Sequence, residues 1–153
     1  MSYKTLVPRR KIQVTPAFTG AAFSANDAVG VKFTIPAAAV IGGGGGVICS
    51  AVLVSKIAFV ATDLIIFDAD YTAPADNAAF ALNTADVGKL VGSVVFSAGT
   101  AMGTPSVSQS ASLNLSFQSG ASGNLYGQLI TRGTPTYTAG DLTVTLIVQP
   151  DRG

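Results

Sequence analysis

The chain has 153 residues, a mass of 15.4 kDa and a net charge of +1, with 11% charged residues and no His, Glu or Trp. That length suits one domain able to bury roughly two-thirds of its unfolded surface. Without histidine the commonest general base and the usual zinc and iron ligand sets are missing, so any catalysis would rest on Asp, Lys, Tyr, Ser and Thr.

In chain order, residues 1–15 read as a basic arm leading into the first strand, and residues 16–153 as a single β-sandwich domain. Lys4, Arg9, Arg10 and Lys11 are four of the nine basic residues, and no acid precedes Asp27. They are candidate partner contacts; a solvated arm and a weak nucleic-acid site, with Tyr3 as the nearest aromatic, are the competing readings. The net charge gives no general pull towards nucleic acid, so none is expected as partner. MSYKTLVPRRKIQV lacks the apolar core of a signal peptide, so synthesis in the cytoplasm is expected.

Strands are expected at Lys11–Thr15 and at Val29–Ile35, where Val29, Val31, Phe33 and Ile35 alternate with Gly30, Lys32 and Thr34. Gly42–Gly46 reads as a flexible or closely approaching loop; a phosphate loop would end in Gly-Lys-Ser/Thr, and here Val47 follows. Val47–Lys56 is a strand holding the lone Cys49, expected as a buried, inert thiol. Lys56 and Asp63 interrupt the apolar run Val47–Phe67, so no membrane span is expected. Further strands follow at Leu64–Phe67, Val91–Ser97, Leu113–Phe117, Leu125–Thr131 and Leu142–Val148, with Ala98–Ser112 and Ser119–Asn124 read as surface loops. The best helical stretch is Thr84–Leu90, with Thr84 capping, Asp86 in the first turn and Gly88 limiting its length. Together this predicts an all-β fold: an antiparallel, jelly-roll-like β-sandwich of about eight strands with at most one short helix.

The connection after Leu64–Phe67 carries most of the acid. Asp68, Asp70 and Asp76, with Asn77, offer hard oxygens suited to calcium and are the weak metal candidates. An EF-hand beginning at Asp68 would need Gly and Glu where Ala73 and Ala79 stand, and the competing reading is that these side chains cap turns around Pro74. A pair such as Asp68 and Asp70 could serve a glycosidase, but no tryptophan is present to stack on a sugar. No enzyme activity, bound metal or cofactor is expected. Residues 62–97 hold Asp63, Asp68, Asp70, Asp76 and Asp86 against Lys89 alone, so the basic arm could clasp an acidic surface on a neighbouring subunit or on a larger assembly.

A mean hydropathy of +0.49 with so few charges is more apolar surface than a monomer of this size hides, and an oligomer is expected.

Several segments resemble a known family. Phe67-Asp68, Asp76-Asn77-Ala78-Ala79-Phe80, Leu90-Val91-Gly92, Leu125-Tyr126-Gly127 and Thr131-Arg132-Gly133-Thr134-Pro135-Thr136-Tyr137 together resemble small capsid decoration (cement) proteins of tailed bacteriophages, over roughly residues 47–150. The resemblance implies a jelly-roll-like sandwich, a homotrimer, the major capsid protein as partner, and a place on the outer capsid surface. It carries no catalytic residues. The alternative is another virion component, a head-fibre, neck or tail β-sandwich whose loops bind a receptor or glycan.

Overall fold

The computed structural model describes residues 8–36, 38–39 and 42–151. Among these described residues twelve strands run in chain order: β1 (Arg10–Val14), β2 (Ala21–Ala22), β3 (Ala28–Ile35), β4 (Gly44–Ser55), β5 (Thr62–Phe67), β6 (Leu90–Phe96), β7 (Thr100–Ala101), β8 (Ser106–Ser110), β9 (Leu115–Ser119), β10 (Leu125–Thr131), β11 (Thr136–Tyr137) and β12 (Leu142–Pro150). All pairings are antiparallel. One sheet has the order β1-β12-β4-β8-β7, with β9 also on β4, and the other β3-β10-β5-β6. A two-stranded ribbon, β11-β2, stands apart.

The expected eight strands become twelve for a simple reason. Strands β2, β7 and β11 are two residues long, and one returning strand is broken into β8 and β9. Ala51 faces Ser110 and Ile48 faces Leu115, so the returning chain uses two residues more than β4 between these points. The excess is taken up around Ser112, which has a positive φ of 58°. With the two-residue strands set aside and β8 and β9 counted as one, two four-stranded antiparallel sheets remain, in the interleaved order of a jelly roll.

Strand β12 shows why the sandwich forms. Leu142, Val144, Leu146 and Val148 are buried while Thr143, Thr145, Ile147 and Gln149 are half-exposed. Period-two alternation puts one face of the sheet in the core and the other outward. The opposing sheet contributes Phe33, Ile35, Leu64, Ile66, Val94 and Phe96 to the same core. Phe18, Phe23 and Tyr137 form an aromatic cluster beside the β2-β11 ribbon, with centroids 5.9–6.4 Å apart.

Several expectations are corrected. Gly44–Gly46 are strand, all three paired with β9 and Gly46 also with β12; only Gly42 and Gly43, with φ of 103° and 96°, make a turn. The close approach expected there does exist: a Cβ on Gly46 would lie 2.8 Å from the Gln149 carbonyl oxygen. Ala98–Ser112 contains β7 and β8, with Ser106 and Ser108 buried, and Ser119 is a buried strand residue. Cys49 is half-buried at a bulge in β4 instead of sealed in the core. The 3₁₀ helix Thr84–Lys89 is capped by Asn83, whose Oδ1 accepts the Ala85 N–H at 3.0 Å, and Thr84 lies inside it. Alternation in β3 fails at Gly30, and Val31 is exposed. Part of the apolar segment Ala37–Ile41 lies outside the described residues.

Candidate functional site

Strand β3 bulges because Gly30–Lys32 oppose the single residue Gln128 of β10. Gly30 takes a φ of 86° there, and its N–H donates to Asp76 Oδ1 at 2.8 Å. Asp76 Oδ2 accepts the Thr19 N–H at 2.7 Å. Asp76 is therefore spent on two backbone donors.

The long connection after β5 folds back over the outer face of the β3-β10-β5-β6 sheet. Tyr71 stacks on Phe67 with ring centroids 3.7 Å apart, and its hydroxyl donates to Gln128 Oε1 at 3.0 Å. Gln128 is fully buried, and its Nε2 donates to the carbonyls of Gly30 at 3.0 Å and Pro74 at 3.1 Å. One buried amide thus ties the bulge, the strand and the returning loop together. Further along, Asn77 and Ala78 exchange backbone hydrogen bonds with Ala28, extending the sheet past β3.

Two lysines pin the same loop from outside. Lys32 Nζ donates to Asp70 Oδ1 and to the Tyr71 carbonyl. Lys89 Nζ donates to the Asp70 carbonyl and to Asp86 Oδ1, both at 2.7 Å. Buried Asp86 also accepts the Thr72 N–H at 2.9 Å. Lys32, Asp70, Tyr71 and Lys89 line an open hollow of about 670 Å³ with Val31 and residues 72–75. The Lys32 hydrogen bond holds Asp70 below the ordinary carboxylate range, and Lys89 followed by the Thr72 N–H does the same for Asp86. Burial raises Asp68, and burial reinforced by the charges of Asp70 and Asp86 raises Tyr71.

The sequence candidates separate accordingly. Asp70 lies in the hollow on Lys32, Asp76 braces the β3 bulge, and Asp68 has its own N–H bonded to the Lys89 carbonyl at 2.9 Å. Among the described residues no three His, Cys, Asp or Glu side chains converge as a metal ion would require. Lys4 lies outside the described residues; Arg9 is exposed, and Arg10 and Lys11 belong to edge strand β1. The acidic surplus of residues 62–97 is largely matched within the chain: Asp63 pairs with Arg132, Asp70 with Lys32 and Asp86 with Lys89. Little of it is left for a neighbour's arm to clasp. The residue that sequence reasoning misses is Gln128, whose signal is a lone amide inside the otherwise apolar β10.

Comparison with protein-family models, curated proteins and solved structures finds no match for this chain.

The ion pairs set an acid limit on stability. Carboxyls lowered in the folded state contribute stability that is complete above their unfolded value, about 4, and is lost as pH falls through the folded one. The thermal midpoint is expected to stay flat from about pH 7 to 5 and to drop below about pH 4. Raised Asp68 opposes this slightly, since protonation relieves its burial. Circular-dichroism melts of the native chain and of Lys89→Met check this. The variant should melt lower at pH 7 and show a shallower acid limb; identical limbs would remove the pair from the account.

Proposed function

We propose that this is a structural virion protein that binds the outer surface of a phage capsid as an oligomer and stabilises the assembled shell. Its partner in this reading is the major capsid protein, and its role is adhesive, with no catalytic step. The resemblance over roughly residues 47–150 supports the reading, and the jelly-roll order is a fold used in virion proteins. The observation that carries it is the free edge of the second sheet. Among the described residues strand β6 has no neighbour on its outer side, and Leu90 and Val95 on it, with Val87 just before it, are 42%, 65% and 55% exposed. An open apolar strand edge invites pairing unless a partner covers it.

The mechanism is mass action. A ligand that binds only the assembled shell favours assembly by RT ln(1 + [L]/Kd), and an oligomer bridging several capsid subunits multiplies weak contacts. Purified protein added to capsids lacking it should bind in fixed stoichiometry and raise their disruption temperature. Val95→Lys, placed across from Asp63, should weaken capsid binding about tenfold or more, with little change in the melting curve, by putting a charge in the contact. Labelled protein should spread over the whole head in electron micrographs. Signal confined to one vertex or to the tail, or binding to host glycans without capsid binding, would instead favour a head-fibre, neck or tail component.

A further inference from the structure

The two outer faces of the sandwich differ. The β3-β10-β5-β6 face is covered by the loop that Gln128, Lys32 and Lys89 pin down. The opposite face, formed by β1, β12, β4, β8 and β9, has no such cover among the described residues. Register puts Val52 between Thr145 and Gln109, and Val54 between Thr143 and Val107. Ile147 lies between Lys11 and Ser50. Arg10 and Lys11 are the sole charged residues in all five strands, and Arg10 sits opposite the buried Val148. Lys11, on the edge strand, is therefore the single charge these strands direct outward. An ordinary protein has about a quarter of its residues charged, and depletion of charge marks the centre of an interface.

We propose that copies of this chain pack against one another through the outer face of the β1-β12-β4-β8/β9 sheet. This deepens the oligomer part of the capsid reading by assigning it a surface. Charge decides the occupant. A partner with ordinary surface charge would have its ions stripped of water by a face whose charge is confined to Lys11 at one edge and to Asp151 beside Gly45, which is costly. A fitting partner must be equally poor in charge over the same extent, and this chain's own face is such a surface. Its size is adequate. Four strand positions at about 4.8 Å and strands rising about 3.3 Å per residue give a footprint of roughly 20 Å by 30 Å. That approaches the roughly 800 Å² of accessible surface each partner commits in a stable interface.

Sedimentation velocity on the full chain across a dilution series tests this. The native protein should be oligomeric, and Val52→Lys should weaken self-association by about 100-fold or more, because the new charge recurs in every copy around the axis. Thr145→Lys, at a half-exposed position, should act alike, and a matching melting curve shows that each variant is folded. Cys49 and Ser50 are half-exposed at the β4 bulge while flanking Ile48 and Ala51 are buried, so a maleimide reports on the same face. Labelling should be slow in the concentrated native protein and fast in Val52→Lys. A native monomer, or an oligomer whose assembly and labelling neither lysine alters, overturns the proposal. Capsid binding is measured separately: a monomer that still coats capsids defeats this interface alone, whereas an oligomer that ignores capsids defeats the capsid reading alone.

Discussion

Gln128→Leu should destabilise the fold by about 3–5 kcal/mol, the largest loss expected from one side chain outside the apolar core. The substitution keeps approximate volume, so the change is almost wholly polar. It leaves the Tyr71 hydroxyl and the Gly30 and Pro74 carbonyls without the amide that serves all three. Each buried group left unpaired costs about 1–3 kcal/mol, and water can reach some of them only if the loop lifts. Urea unfolding measures the loss, and hydrogen exchange over residues 70–80 should show that loop opening first. Tyr71→Phe should cost less, about 1–2 kcal/mol, because it orphans one amide oxygen. The double variant should cost less than the two single losses combined, since both act through one hydrogen bond. Strict additivity would show that Tyr71 and Gln128 are held independently.

Gly46→Val is the second large effect, expected at about 3 kcal/mol. Gly46 lies in β4 between Pro150 of β12 and Phe117 of β9, and a Cβ there would approach the Gln149 carbonyl oxygen and Phe117 Cζ, each at 2.8 Å. The ring could turn aside, but the carbonyl belongs to the neighbouring strand and cannot move without breaking the ladder. Gly88→Ala is the matched control, because a Cβ at that position would meet nothing within 4 Å and its φ is not in the left-handed region. That variant should be neutral or slightly stabilising, by up to about 1 kcal/mol, through a less flexible unfolded chain. Thermal melts of the two variants should differ widely; similar melts would mean that β4 has room to shift.

The contrast between these positions also explains what the sequence discloses. Strands β5, β10 and β12 are visible because their apolar residues recur in short dense runs or at every second place, bounded by turn formers. Strand β8 is not, because Ser-Val-Ser-Gln-Ser has no apolar face; Ser106 and Ser108 are buried by bonding the Ile57 carbonyl and Ser97 Oγ. Gly44–Gly46 are hidden for the opposite reason: glycine argues against strand, yet a Cβ on Gly45 would meet the Phe117 carbonyl oxygen at 3.0 Å and one on Gly46 the Gln149 carbonyl oxygen at 2.8 Å. The β3 bulge defeats simple alternation, which places Val31 in the core although it is exposed.

The aspartate stretch is readable as structure but not as a network. Turn-making around Pro74 is a local inference, and Asp86 on Lys89 is a local pair. The decisive partners are remote: Asp76 reaches Gly30, Asp70 reaches Lys32, and Tyr71 and Pro74 meet at Gln128. Tertiary pairing across that distance leaves no mark in residue spacing. The basic arm shows the reverse case, a conspicuous charge cluster in which Arg10 and Lys11 are strand residues of the sheet edge.

The position of β12 has a consequence for how the chain comes into being. It is the last strand in chain order, yet it fills the gap between β1 and β4 near the middle of its sheet. A growing polypeptide emerging from the ribosome at about 5–20 residues per second must therefore keep β1 and β4 unjoined until residues 142–150 appear. Local contacts can organise the β5-β6 pair early, but closure waits until β12 has emerged, as expected for a topology dominated by distant pairings. Until then the uncharged, proline-free run Val47–Val54 of β4 lies open, so the waiting strand is a segment exposed to stray pairing before β12 arrives.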